Sequence, residues 1–173
     1  MTVLVSVESR HGATEQIGLR VARILTDAGW PVDVLRPAEV TQMTPYAAVV
    51  IGSAVYGGSW LAPARELVER FAIELRERPV WLFSSGPIGD PPKPIGDPAG
   101  IAPLIRLIQP RGHGVFAGRL VDEELGIAEK LMTRAVRAPY GDFRNWRVVD
   151  AWAGEIVRAL EEVRQAAEPA AIS

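Results

Sequence analysis

The sequence has no cysteine, and histidine occurs only at positions 11 and 113 of its 173 residues. The first absence excludes disulfide bonds and thiolate metal centres, and two imidazoles are too few for the usual histidine metal site. We therefore expect no bound metal. Any redox chemistry carried out by this chain would need an organic cofactor.

Long apolar runs and an excess of one charge are also missing. No run approaches the ~18 residues of a membrane span, and the N-terminus lacks a basic segment followed by an apolar core. We therefore expect a soluble, cytoplasmic protein. Nineteen basic residues stand against 21 acidic residues, a formal net charge of -2. Proteins that bind nucleic acid normally carry a basic face, so we expect no nucleic-acid partner.

The residues that are present alternate between short apolar runs and amphipathic stretches. Five runs predict strands, at residues 2–7, 31–35, 47–52, 79–83 and 113–118. Apolar residues at helical spacing predict helices at 17–28, 62–77, 99–109 and 145–164. Strands joined by helical crossovers predict an α/β fold with a doubly wound parallel sheet covered on both faces. The length and the 48% hydrophobic content fit a single domain spanning 1–173.

Ligands of such sheets bind beyond the carboxyl ends of the strands. Three loops of unusual composition leave those ends: SRHGAT (9–14), SAVYGGSW (53–60) and SSGPIGDPPKPIGDPAG (84–100). We refer to them as the first, second and third loops. Their position predicts that they meet in one site.

The first loop has the composition of a phosphate site. Hydroxyls from Ser9 and Thr14, the flexible Gly12 and backbone N–H groups at a helix N-terminus suit a phosphate dianion. The loop lacks the lysine of a triphosphate loop and the three-glycine spacing of a dinucleotide fingerprint, which favours a monophosphate. An ordinary strand-to-helix turn capped by Thr14 is the alternative at this point.

The second and third loops combine an aromatic residue with glycines. Tyr56 is able to stack on a flat ring, and Gly57, Gly58 and Gly86 permit close backbone approach. The alternative is that Tyr56 and Trp60 only cover the edge of the following helix.

The order of strands and helices, together with SRHGAT, resembles the flavodoxins over residues 2–120 and the last helix. In that family a similar first loop wraps the phosphate of FMN; Ser9, Gly12 and Thr14 match its pattern, and His11 departs at a position that usually carries a hydroxyl. The resemblance implies a five-stranded sheet in the order 2-1-3-4-5 and FMN as the cofactor. It implies FMN contacts from Ser9, Arg10, His11, Gly12, Ala13, Thr14, Ala54, Val55, Tyr56, Gly57, Gly58, Ser84, Ser85, Gly86, Pro87, Ile88 and Gly89.

An insertion at about 121–145 precedes a final helix that begins with tryptophan. This arrangement, and GSAVYGGSWLAPARELV, resemble the menaquinone-dependent protoporphyrinogen dehydrogenases, in which FMN accepts electrons from protoporphyrinogen and passes them to a quinone. The group tends to carry arginine followed by tyrosine beside the ring, whereas this chain has Tyr56 and Gly57. The resemblance implies an FMN-dependent oxidoreductase with a small-molecule donor and a quinone-type acceptor. The alternatives are a non-catalytic electron carrier and a domain that has lost FMN, the latter suggested by His11.

The insertion contains an apolar helical pattern followed by aromatic residues. The pattern runs from Ile127 to Val136, and the aromatic residues are Tyr140, Phe143 and Trp146. It predicts a lid over the flavin, or a weak contact of residues 123–146 with a membrane surface that would make the protein peripheral to the inner membrane face. Its acidic and basic residues are mixed, which weakens attraction to anionic lipid. The alternative is a helix packed on its own domain. No side chain in the sequence is marked as a general acid or base.

Overall fold

The computed structural model describes residues 1–86, 96–121, 125–135 and 139–167. Pro87, Ile88 and Gly89 of the third loop lie outside the described residues. No helix in the described ranges combines the length and the apolar character needed to cross a membrane.

All five predicted strands are present and form one parallel sheet. The strands of this sheet are β1 (Thr2–Glu8), β2 (Val32–Leu35), β3 (Tyr46–Tyr56), β4 (Ser59–Trp60), β5 (Val80–Ser85) and β6 (Gly112–Phe116). The order is β2-β1-β3-β5-β6, with β4 paired antiparallel to the end of β3. The predicted order 2-1-3-4-5 requires a correction, because it omitted β4 and therefore numbered the last two parallel strands one too low.

The extra strand exists because β3 continues beyond its predicted end and folds back on itself. Tyr56 pairs with Ser59 across a two-residue turn. Gly57 and Gly58 in that turn have φ of 56° and 77°. Positive φ at both central residues is the requirement of the tight hairpin turn whose twist matches the flanking strands, and glycine meets it without a steric penalty. The second loop is therefore mostly a hairpin.

Helices cover both faces of the sheet. They are α1 (Ala13–Asp27), α2 (Ala62–Arg70), α3 (Ala72–Arg76), α4 (Ala102–Ile108), α5 (Ile127–Ala135) and α6 (Trp146–Ala167). The predicted helix 62–77 is divided at Phe71, whose backbone leaves the helical region. Pro103 lies in the first turn of α4, where its missing N–H costs no helical hydrogen bond.

Two hydrophobic cores flank the sheet, because alternate residues of each strand point to opposite faces. On the first face, α1 and α6 pack against Val3, Val5 and Val7 of β1. On the second face, α2, α3 and α4 pack against Leu4 and its neighbours from β3 and β5. Burial on both faces explains why the strands read as continuous apolar runs.

The insertion lies outside both cores. It is closed at its base by a second small sheet, in which β7 (Arg119–Leu120) pairs with β8 (Gly141–Asp142). Among the described residues, neither core includes a member of 121–140. Ile127 and Leu131 of α5 are 83% and 63% exposed, so α5 does not use them to pack on its own domain.

We predict that residues 121–140 are dispensable for folding. Leu120 and Gly141 are directly paired, so an Asn-Gly turn should connect them without strain. The free energy of unfolding, measured by chemical denaturation, should change by no more than about 1 kcal/mol.

A substitution in the core serves as the comparison for the stability of the shortened protein. A Cβ at Gly52 would lie 2.0 Å from the ring of Phe83, so Gly52→Ala should cost about 1–3 kcal/mol through overpacking. Loss of cooperative unfolding in the shortened protein would show that the insertion belongs to the core.

Candidate functional site

The sheet brings the three predicted loops together at one edge. The strands that precede them, β1, β3 and β5, are direct neighbours in the sheet. At their carboxyl ends Glu8 is aligned with Ser53, and Ala54 with Ser85. Because the strands are parallel, all three chains leave the sheet side by side, as the sequence predicted.

The first loop ends in a helix start that no side chain caps. Gly12 is the N-cap of α1, with φ of 76°, and no side-chain hydrogen bond is made at this end. The alternative in which Thr14 caps the helix is therefore wrong, because Thr14 already lies inside the first turn and is 3% exposed. The first-turn N–H groups have no acceptor within the helix and form the positive end of its dipole.

Two side chains of the first loop, Arg10 and His11, contact one carboxylate of the insertion. Arg10 Nη1 donates to Glu129 Oε1 at 2.8 Å, and His11 Nε2 lies 3.2 Å from the same oxygen. The Gly126 N–H donates to Glu129 Oε2 at 2.9 Å. The Arg10 hydrogen bond, then the Gly126 N–H, lower the pKa of Glu129 to about 2. The carboxylate is thus charged near neutral pH, and its contribution to the contact is lost only as pH falls through that value.

Sequence reasoning missed the role of Glu129. In the sequence, Glu129 is only one of the mixed acidic and basic residues of the insertion. The spacing of 119 positions from Arg10 gave no signal of the contact. The insertion therefore reaches the site through an ion pair rather than through its apolar residues.

Arg10 also covers the aromatic residue of the second loop. Its guanidinium carbon lies 4.5 Å from the centroid of the Tyr56 ring, within the range of a cation–π contact. Tyr56 is 38% exposed, and burial, followed by the charge of Glu129, raises the pKa of its phenol. Arg10 holds the Tyr56 side chain at the site, whereas Trp60 is buried in the core to which α2 contributes, as the alternative predicted for Trp60.

Two hydrogen bonds of the Ser53 side chain hold the base of the hairpin that carries Tyr56. The buried Ser53 hydroxyl donates to the Ala54 carbonyl oxygen at 2.8 Å and accepts the Leu61 N–H at 3.0 Å. Ala54 is buried, whereas Gly57 and Gly58 are exposed. A Cβ added at Gly57 or Gly58 would meet nothing within 4 Å, so the tip of the hairpin is open to a ligand.

The third loop begins later than predicted, because Ser84 and Ser85 are buried residues of β5. The Ser84 hydroxyl is engaged in hydrogen bonds inside the protein. Gly86 follows, and its N–H donates to the Phe116 carbonyl oxygen at 3.3 Å. A Cβ at Gly86 would lie 3.1 Å from Val55 Cβ. The start of the third loop is therefore packed closely against Val55 of the second loop, and a side chain at position 86 would crowd this contact.

Comparisons with known proteins agree with this geometry. The flavodoxin domain family model matches residues 4–145. No match was found among curated proteins. Rubredoxin oxygen:oxidoreductase from Desulfovibrio gigas has a TM-score of 0.60 at 15% identity, and the aligned part covers 93% of this chain and 36% of that protein. This chain thus corresponds to about a third of that protein's length.

Two flavodoxins are similar over most of their own length. A mutant flavodoxin from Pseudomonas aeruginosa has a TM-score of 0.59 at 15% identity, covering 93% of this chain and 99% of that one. The two-electron reduced flavodoxin of Megasphaera elsdenii has a TM-score of 0.57 at 15% identity, covering 71% and 90%. These likenesses show an α/β flavodoxin-like fold. Since the family model also matches well over half of the sequence, the chain belongs to the flavodoxin domain family.

Proposed function

We propose that this protein is an FMN-dependent oxidoreductase that takes electrons from a small-molecule donor and passes them to a quinone-type acceptor. The observation that carries the proposal is that an uncapped helix start beside Arg10 and His11 and a glycine hairpin with an accessible tyrosine meet at one sheet edge. Membership of the flavodoxin domain family implies a flavin as cofactor. The protoporphyrinogen dehydrogenase group is the subfamily that we infer from the insertion.

The donor set of the first loop fits a phosphate monoester. Gly12 turns the backbone so that the first N–H groups of α1 are free to donate, Arg10 adds positive charge beside them, and His11 adds a ring nitrogen. Ser9 and Thr14 supply hydroxyls on the same loop. This set has no lysine and no further glycine for a longer phosphate chain, which supports FMN over a dinucleotide.

The residues beside the helix start fit a flat ring. Tyr56 offers an aromatic face, and the open turn at Gly57 and Gly58 leaves room for close approach. When bound, FMN would supply hydride and single-electron transfer. The chain's own residues would hold the phosphate, orient the ring and keep water from one of its faces.

His11 supports retention of the cofactor rather than its loss. The histidine replaces a hydroxyl of the family's pattern, yet its Nε2 is already engaged with an anion, the carboxylate of Glu129. A group that binds one anion is suited to bind another. The alternative of a domain that has lost FMN therefore receives no support from this position.

Weak charge and an exposed apolar helix favour a small acceptor over a carrier protein. Electrostatic steering toward a basic partner grows with net charge, and 21 acidic against 19 basic residues give a weak field. The insertion instead exposes Ile127, Leu131 and Tyr140, and Trp146 at the start of α6 is exposed next to it. These residues would offer contact to an apolar quinone, or a weak contact with the membrane surface where such quinones reside.

We predict that Glu129→Gln raises the affinity for FMN. The carboxylate neutralises Arg10 and occupies the His11 ring nitrogen, and removing its charge leaves both side chains available to a phosphate dianion. Dissociation constants from fluorescence titration should fall roughly two- to fivefold, because an exposed charge interaction is worth up to about 1 kcal/mol. Riboflavin, which lacks the phosphate, should bind equally to both proteins.

The matched control is Glu162→Gln, which makes the same charge change on the exposed side of α6. It should leave both affinities unchanged. An equal change for FMN and riboflavin, or weaker FMN binding, would mean that Glu129 does not act on the phosphate site.

Reoxidation of the photoreduced protein tests the acceptor. A menaquinone analogue should reoxidise it rapidly, at a rate nearly independent of ionic strength, because the field at a docking distance is weak. The shortened protein without residues 121–140 should keep its flavin and react more slowly. Fast, salt-sensitive exchange with a redox protein and no reaction with the quinone would instead identify an electron carrier.

A further inference from the structure

Four side chains form a continuous line of hydrogen bonds behind the second and third loops. Trp60 Nε1 donates to Ser84 Oγ at 2.7 Å, and Ser84 Oγ lies 2.8 Å from His113 Nε2. His113 Nδ1 lies 2.9 Å from Asp97 Oδ1. We call these residues the His113 network. They lie on four different segments of the chain, so their spacing in sequence gave no indication of it.

The network connects the hairpin of the second loop with the end of the third loop. Trp60 ends the hairpin that carries Tyr56, and Asp97 belongs to the end of the third loop. The same two segments touch nearby, where the Gly100 N–H donates to the Gly58 carbonyl oxygen at 3.0 Å. A shift of Trp60 would therefore move the hairpin relative to the third loop.

Neutral His113 with its proton on Nδ1 gives each of the four groups a partner. The Trp60 indole is only a donor, so Ser84 Oγ accepts from it. In this tautomer Nε2 is unprotonated and accepts the Ser84 hydroxyl proton. The proton on Nδ1 is then donated to Asp97. Burial lowers the pKa of His113, and the neighbouring Asp97 opposes this effect.

The order serine, histidine, aspartate is also that of hydrolase triads, but the environment here is different. Ser84 is fully buried, and its oxygen already accepts the indole N–H. A substrate carbonyl would have no access to this oxygen. The network therefore acts on structure rather than as a nucleophile.

Protonation of His113 would break this order. Nε2 would become a donor, so the Ser84 oxygen would face two donors while its own proton lost its acceptor. A hydroxyl proton without an acceptor at a site with no solvent exposure is unfavourable. A displacement of Ser84 or Trp60 would give this hydroxyl proton access to another acceptor.

We propose that the His113 network is a proton switch: neutral His113 holds the Trp60 hairpin against the third loop, and protonated His113 releases it. His113 and Asp97 are positioning residues, since they act on the site through Ser84 and Trp60. The effect on FMN binding rests on the proposed function, whereas the movement of Trp60 does not.

Few charges act on His113 within the described part of the chain. Asp97 is the charged group that affects its pKa. Ser84 and Trp60, from β5 and β4, do not titrate. The guanidinium of Arg111, two residues earlier on β6, lies over the Trp81 ring at 5.8 Å, and Arg106 of α4 is exposed. The switch thus depends on one histidine and one carboxylate.

The direction of the pH dependence follows from the lowered pKa. The folded protein binds a proton at His113 less readily than the unfolded chain, whose histidine titrates at about 6.5. The contribution of the network to stability is therefore complete above about pH 6.5 and is lost as pH falls through the folded-state pKa.

NMR of the flavin-free protein tests the switch directly. The indole N–H resonance of Trp60, assigned with Trp60→Phe, should shift with the same midpoint as the His113 ring, below about pH 6.5. The indole N–H of Trp30 is the internal control, because it is buried with no hydrogen-bond partner among the described residues. In Ser84→Ala, His113 should still titrate while the Trp60 resonance no longer follows it.

The carboxylate is tested by Asp97→Asn, which keeps an oxygen acceptor and removes the charge. The midpoint of His113 should fall, whereas Asp27→Asn, at an exposed carboxylate on α1, should leave it unchanged. A Trp60 resonance that stays fixed while His113 titrates would overturn the proposal.

A binding measurement separates the switch from the proposed function. FMN affinity of the native protein should decrease below the His113 midpoint, and His113→Gln should abolish this dependence. Constant FMN affinity across the titration, despite a shifting Trp60 resonance, would contradict the claim that the hairpin is released from the site. Absence of FMN binding at every pH would refute the proposed function, and the Trp60 titration would still decide the switch.

Discussion

The backbone register of three adjacent parallel strands is the constraint on which the candidate site depends. Glu8 is aligned with Ser53, and Ala54 with Ser85, so β1, β3 and β5 end together. Residues far apart in sequence then meet without long side chains to bridge them. Glycine makes the last approach possible, since a Cβ at Gly86 would press on Val55. The site is therefore built mainly from backbone, which suits a phosphate and a flat ring better than it suits acid–base chemistry.

Side-chain electrostatics adds to this arrangement of the backbone. The insertion reaches the first loop through Glu129, which contacts Arg10 and His11. Ile127 and Leu131 of α5 remain exposed, unlike the apolar residues of a helix that completes a core. Such a segment is held by interactions worth little in water, so a competing anion is able to displace it. This explains how one element could serve both as a cover for the site and as a surface for an apolar partner.

The sequence was sufficient to predict the five parallel strands, the covering helices and the three converging loops, because buried strands and amphipathic helices have distinct apolar periods. It did not reveal β4, although Gly57 and Gly58 are the residues that a tight hairpin turn requires. The contacts of Glu129 and of His113 were also missed. These contacts join residues that only the tertiary fold brings together. Neither the spacing of the residues nor the composition of the sequence indicates such pairs.

The absorption spectrum of the freshly purified protein, with chemical identification of any released cofactor, tests the central claim most directly. The account predicts a flavin spectrum and release of FMN, because the first loop offers donors for one phosphate group and the tip of the hairpin at Gly57 and Gly58 is open. A colourless protein that also fails to take up added FMN would contradict it.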